Sequence, residues 1–375
     1  MSAAAAPATG VTTPHPRRRI VSLDWSRGVA VLLNLSVIAV LPPVPDQLRH
    51  APWEGVRLMD LVFPLFVTLA GAGLAFAYAR RVDVWVVLRR SAVLWWCGLL
   101  YNGILLDWPP VTEFRLMGPL QLYAVLVPVV AIASTRLSTG RQWSIAVAAV
   151  TVTTTVLHLV WSAACGGLTP ECNPSRGIDL PLLGDHAYRS GSAGFDPEGL
   201  VALTGASITM GVGLLAGVQV RQARNTPGAR HRVTTQLVAL AVACALGAFA
   251  LQAMGVPLVK RVWTPSFALL TAVPGILLLA GAHAVLDGRR EPSSAVEPGL
   301  GVSAAVALGR NALLGYFGSH AVIHWLRAGD VSLADRLVEF GGGADTGRWL
   351  FGLVFVSFWV ALCMVLARFR IYIRP

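Results

Sequence analysis

The sequence predicts an all-α membrane protein, a polytopic bundle of about ten transmembrane helices with both termini cytoplasmic, and three observations predict it. First, 55% of the 375 residues are hydrophobic and only 13% charged, with a mean hydropathy of +0.63. Soluble domains carry about 25% charged residues, so a water-soluble enzyme and a disordered chain are excluded. Second, the apolar residues fall into runs near the roughly 20 residues a helix needs to cross a hydrocarbon core of about 30 Å. Third, the 30 basic residues, set against 19 acidic ones for a net charge of +11, stand mostly at the ends of those runs. Charge so placed sets topology; a nucleic-acid partner would need it clustered on one face.

Residues 1–19 are small, Pro-containing and end in Arg17, Arg18 and Arg19. No small-residue cleavage site follows the first apolar run, so they read as a basic cytoplasmic tail and not as a signal peptide. Residues 20–375 read as one transmembrane domain. Its apolar stretches are 20–41, which stops at Pro42 and Pro43; 58–79, closed by Arg80 and Arg81; 84–106, closed by Asp107; and the short 117–134. Then come 143–163, 199–220 ending at Arg221, 233–254 following Arg230 and Arg232, 264–286, 301–325 with a polar Gly-Arg-Asn inside it, and 349–367 ending at Arg368. With cytoplasmic termini the inner segments carry Arg17, Arg18, Arg19, Arg80, Arg81, Arg136, Arg141, Arg221, Arg224, Arg230, Arg232, Arg289, Arg290, Arg368, Arg370 and Arg374. The outer segments carry fewer: Arg49, Arg57, Arg115, Arg176, Arg189, Lys260, Arg261, Arg327, Arg336 and Arg348. The positive-inside rule favours that orientation.

The longest polar segment, 164–198, is expected to form a structured outer cap. It holds Cys165 and Cys172, which can bridge if the loop faces an oxidising compartment; Cys97, Cys244 and Cys363 lie in apolar runs as small core side chains. Every basic residue except Lys260 is arginine, a bias that points to a GC-rich coding sequence and a bacterial plasma membrane.

Ionisable side chains at bilayer depth are costly unless paired or facing a cavity, so they locate the working interior. The first span opens SLDWSRG, which puts Asp24 and Arg27 three apart on one helical face. They either form a local ion pair or present Arg27 to a phosphate-bearing ligand, which guanidinium suits. Between the first two spans His50 precedes Pro52, Trp53, Glu54 and Gly55, with Asp60 entering the next helix. His50 is either a solvated loop side chain or a general base with a carboxylate nearby. In the long loop Asp179, Asp185, His186, Asp196 and Glu198 cluster, as solvated charge or as partners for a hydroxyl-rich or cationic substrate. The Asp-Pro-Glu-Gly run there reads as a helix start, with Asp196 as N-cap. Lys260, Arg261, Trp263 and Ser266 precede the eighth span, and Arg310, Asn311, Ser319, His320 and His324 lie in the ninth. His320 and His324 share a face, but no third ligand accompanies them, so no metal is expected.

Taken together, SLDWSRG, HAPWEGVRLMDLVFPLFVTLAGAGL, RLMGPLQLYAV, NPSRGIDLPLLGDHAY with FDPEGL, and GRNALLGYFG, in that order along nearly the whole chain, resemble the membrane domain of the heparan-alpha-glucosaminide N-acetyltransferase family and its bacterial relatives. The resemblance implies transfer of an acetyl group from cytosolic acetyl-CoA to an amino sugar or glycan acceptor across the membrane. It puts His50 on the family's active-site histidine. The family's upstream asparagine falls on Ile38, with Asn34 one turn earlier.

These readings combine into one expectation: acetyl-CoA enters a vertical cavity, and His50, helped by Asp60, acts as base or acetyl carrier. Arg27, Arg115, Lys260 and Arg310 are candidate contacts for the donor, with Gln121, Trp263, Ser266 and Asn311 shaping the cavity. Trp53, Glu54, Asp179, His186, Asp196 and Glu198 are candidates for the acceptor. The expected partners are the lipid bilayer, acetyl-CoA and the acceptor, with a homodimer left open. A transporter or flippase of a small solute or glycolipid using the same polar cavity is the alternative.

Overall fold

A computed structural model describes residues 20–79, 82–223, 228–287, 299–329 and 332–373. The tail 1–19 lies outside the described residues, as do Arg80, Arg81, Arg224, Arg289, Arg290 and Arg374 of the charge pattern. The described residues form thirteen α-helices: α1 (Val21–Ile38), α2 (Leu58–Ala77), α3 (Val84–Leu105), α4 (Pro119–Ser134), α5 (Gly140–Cys165), α6 (Pro174–Leu183), α7 (Leu200–Ala223), α8 (Arg230–Ala253), α9 (Pro265–Ala282), α10 (Leu300–Arg310), α11 (Ser319–Leu326), α12 (Leu333–Phe340) and α13 (Ala344–Arg368). Among the described residues the only β pairing is an isolated bridge between Glu54 and Val259.

Eight of these helices, α1, α2, α3, α5, α7, α8, α9 and α13, are long and apolar enough to cross a membrane. Helix α4 is apolar but shorter, at 16 residues. The ninth stretch, expected as one helix over 301–325, is instead broken: α10 and the segment that follows it meet at 86°. The break sits where Arg310 leaves the helix axis for Asp24 and Asn311 accepts the Ile373 N–H, after which a π-turn spans Leu314–Gly318. Polar side chains that find partners elsewhere give an apolar helix a reason to bend. Asp24 forms an ion pair with Arg310, at 3.3 Å.

Helix α7 is the axis of the bundle, with 89% of its apolar window buried, against 22% for α5 and α13. Its glycines explain this. Gly213 and Gly217 press against the carbonyls of Thr68 and Ala72, and Gly71 of α2 presses against Met210, so the two backbones touch as small residues allow in membrane bundles. The outer helices present Trp85, Trp96 and Trp349 outward.

The starts of α2, α4, α7, α9 and α13 gather at one end of the bundle with the ends of α1, α3, α5, α8 and α11. The segment 164–198 covers part of this end. It is structured as expected: Cys165 and Cys172 are bridged, α6 lies within it, and it is tied down by Trp53 Nε1–H donating to Leu168 O and Leu116 N–H donating to His186 O. Helix α7 begins at Leu200, later than the Asp-Pro-Glu-Gly run suggested. Its first amides, of Leu200 and Val201, donate to Asp179 on α6, while Asp196 takes the N–H groups of Tyr188 and Glu198. An acceptor from another element is as good a cap as one in sequence, because the orphan N–H groups need only an oxygen.

Candidate functional site

Asp60 enters the site as the third residue of α2. Its Oδ2 accepts the N–H of Arg57 at 3.0 Å, as helix capping requires, and the N–H of Ala51 at 3.0 Å. The carboxylate is 1% exposed, and a buried carboxylate left unpaired costs several kcal/mol, so its second oxygen also needs donors. They are His50 Nδ1–H at 2.8 Å and Lys260 Nζ at 3.2 Å. Lys260 reaches this oxygen because the loop before α9 pairs with the loop before α2: Gly55 N–H donates to Leu258 O, beside the Glu54–Val259 bridge.

Lys260 Nζ also lies 2.8 Å from His50 Nδ1 and 3.5 Å from Nε2. Near-equal distances to both ring nitrogens place the ammonium over the face of the imidazole, out of line with the in-plane position of Nδ1. The proton on Nδ1 therefore belongs to the Asp60 bond, which leaves the lone pair on Nε2. Burial lowers the His50 pKa below its ordinary 6.5; the Asp60 hydrogen bond opposes this, and the charges of Lys260 and Arg261 add to the lowering. The ring is thus neutral near pH 7, and its side chain is 36% exposed. Burial also pushes Lys260 down to about 8, against the pull of Asp60. Such an arrangement holds an imidazole in one tautomer, open to a ligand through Nε2, which is what a general base or nucleophile needs.

A second cluster adjoins it. Arg115 pairs with Asp196 at 3.4 Å and with Glu198, and lies 4.7 Å from the centroid of the Tyr188 ring. Burial holds Glu198 above the usual carboxylate range even so. Deeper in the bundle Tyr101 and Tyr316 both pack against the His320 ring, Tyr123 packs against Phe63, and Arg27 donates to Leu69 O.

The other sequence candidates separate by place. Trp53 packs against Phe195 with the rings tilted by 53° and centroids 5.4 Å apart, and the side chain of Glu54 is exposed. Gln121 is wholly buried, with neither amide atom hydrogen-bonded, beside Asn102 and the glycines at 98 and 118. Trp263 is a core residue, packed between Phe63 and Phe267 and donating to Thr209. Ser266 donates to Pro257 O and so shapes the Lys260 loop. Asp179 accepts from Ser175 and caps α7, and His186 bonds Phe114 O. Arg310 and Asn311 sit with Asp24, Tyr372 and Ile373 toward the opposite end from His50. His320 is bonded to Tyr316 O and His324 to Asp107. Two concavities, of about 550 Å³ beside His320, His324 and Arg327 and about 510 Å³ beside Asp335, Glu339 and Arg348, do not include His50.

Sequence reasoning missed Tyr101, Tyr123 and Tyr316 and counted Arg57 only for topology, because lone tyrosines in apolar runs and a lone loop arginine carry no spacing signal. Comparison of the chain with protein-family models and with curated proteins finds no match.

Proposed function

We propose that the chain is an integral-membrane acyltransferase of a bacterial plasma membrane. It crosses the membrane ten times with cytoplasmic termini and moves an acetyl group from cytosolic acetyl-CoA to an amino sugar or glycan acceptor on the outer side. The observation that carries this reading is the His50–Asp60 pair, whose 2.8 Å contact through Nδ1 favours the tautomer with its lone pair on Nε2. Supporting it is the resemblance of the motifs around these residues to the acetyltransferase family named above.

In this reading Nε2 takes the proton of the acceptor amine as its nitrogen attacks the thioester carbonyl. The new C–N bond forms, the C–S bond breaks, and the thiolate of coenzyme A leaves. Asp60 stabilises the imidazolium that forms, and the ammonium of Lys260 lies close enough to favour negative charge developing beside the ring. Alternatively Nε2 carries the acetyl group itself. A labelled acetyl group that stays on the protein without acceptor, and is released by hydroxylamine, distinguishes carrier from base. Arg27, on α1 and donating to Leu69 O, is the candidate for the donor's phosphates.

The test is acetyl transfer by purified protein from labelled acetyl-CoA to glucosamine. His50→Ala is expected to abolish it while keeping the wild-type thermal midpoint; transfer at the wild-type rate contradicts the reading. The 86° break between α10 and α11 favours a second reading, since transporters build substrate sites at interrupted helices. Counterflow of a labelled solute without acyl donor would support that one.

A further inference from the structure

Three guanidinium groups stand against the aromatic wall formed by Trp53, Phe195 and Tyr188, Arg115 and Arg189 over Tyr188 and Arg261 over Phe195, and the charges of Arg115 and Arg261 are balanced differently. Arg115, over Tyr188, is neutralised by Asp196 and Glu198. Arg261, with its guanidinium carbon 5.7 Å from the centroid of Phe195, has no carboxylate within ion-pair distance among the described residues, and its Nε–H is buried without an acceptor. Arg57, whose Nη1–H donates to His50 O at 3.4 Å, likewise has no carboxylate partner among the described residues. The nearby carboxylates are already engaged. Asp60 accepts from His50, Lys260 and two backbone amides, and Glu198 pairs with Arg115. Arg57 reaches His50 through that hydrogen bond, and Arg261 follows directly after Lys260, whose ammonium contacts the His50 ring.

A buried N–H without an acceptor, on a cation without an anion, is satisfied by an oxyanion, to which guanidinium presents two parallel donors. We propose that Arg261, assisted by Arg57, forms an oxyanion subsite beside His50, and that the acceptor is a sugar carrying a phosphate, sulfate or carboxylate close to the amine that receives the acetyl group. The identity of the acceptor's amine rests on the acyltransferase reading; the subsite itself does not.

The experiment separates the two. Binding of D-glucosamine and D-glucosamine 6-phosphate to the full-length protein in phosphatidylcholine nanodiscs is measured by calorimetry without acyl donor, for wild type, Arg261→Gln and Arg261→Lys. The phosphorylated sugar is expected to bind about tenfold more tightly or better, a difference on the scale of one charge-assisted pair. The preference should vanish in Arg261→Gln and persist in part in Arg261→Lys. Equal affinities in the wild type, or a preference that survives in Arg261→Gln, would overturn the subsite. So would a preference abolished by replacing the lipid with phosphatidylglycerol, because Arg261 would then hold a lipid headgroup. In a parallel assay with acetyl-CoA, a protein that binds the phosphorylated sugar through Arg261 but acetylates neither sugar keeps the subsite and loses the acyltransferase reading. Acetylation of both sugars with equal kcat/KM does the reverse.

Discussion

Lys260 and His50, 210 residues apart in the chain, converge on one oxygen of Asp60, the ammonium at 3.2 Å and the imidazole at 2.8 Å. The contact fixes the electrostatics of the site. The carboxylate draws a proton toward the ring, while the ammonium over the ring face repels one.

This balance sets a pH profile. In the acyltransferase reading the neutral imidazole is the active form, and burial with the charges of Lys260 and Arg261 holds its pKa below 6.5, so kcat/KM rises with pH through a midpoint below the ordinary histidine value. Lys260 loses its proton at about 8, so the rate falls again as pH rises through that value. In Lys260→Met the alkaline limb disappears and the acid limb moves to higher pH, because a cation that lowered the His50 pKa is gone. Initial rates across pH 5 to 10 check both shifts, and an acid limb that stays in place would contradict the assignment.

Replacing Asp60 by Asn tests the tautomer. The amide can donate to Nδ1 where the carboxylate accepted, so the proton moves to Nε2 and the base is lost. A drop of roughly two to four orders of magnitude in kcat is expected, the scale of general-base catalysis. Thermal unfolding in the same detergent separates this from lost capping of α2, which costs about 1 kcal/mol.

Asp179 is predicted to act on stability rather than on the acceptor, since its carboxylate binds Ser175 and the first amides of α7. Asp179→Ala should lower the thermal midpoint by the equivalent of about 1 kcal/mol or somewhat more, with the acceptor KM unchanged. Burial pushes its pKa up to about 6 from an ordinary 3.8. The folded state therefore takes up this proton more readily than the unfolded chain, and the stability it adds, full below 3.8, is lost as pH rises through about 6. Asp179→Asn, which cannot ionise, should show a flatter midpoint between pH 4 and 7 than the wild type.

Helix α10 crosses α1 where Gly28 and Gly309 leave no room: a Cβ at Gly28 would overlap the carbonyl oxygen of Ala305, and one at Gly309 that of Asp24. Gly28→Ala and Gly309→Ala should each force the helices apart and weaken the Arg310–Asp24 pair, costing about 1–3 kcal/mol as overpacking does. Size-exclusion profiles and thermal midpoints of the detergent-purified variants check this.

Much of the architecture was legible, because long apolar runs bounded by arginines leave few alternatives. The two stretches that depart from straight full-length helices had visible signs: 117–134 is short, and 301–325 carries Arg310 and Asn311. His50 and Asp60 were also legible, standing ten residues apart around a Pro-Trp-Glu-Gly turn. Lys260 was selected for charge but assigned to the donor, since nothing local shows that its loop folds back on the loop before α2. Arg261 stood next to it among the polar residues before the eighth span but was given no role. The difference between Arg115, whose charge is neutralised, and Arg261, whose charge is not, depends on where Asp196 and Glu198 fall in space. Spacing within one helix likewise gave no sign that Arg310 arrives from another to pair with Asp24.

The most direct test of the account is sided transfer in proteoliposomes of known orientation. Labelled acetyl-CoA is supplied only on the side of the chain termini, and an amino-sugar acceptor only on the side of His50. The account predicts that acetylated sugar accumulates on the His50 side for the wild type and not for His50→Ala. Transfer that proceeds only when donor and acceptor share a side, or that survives the loss of His50, would contradict it.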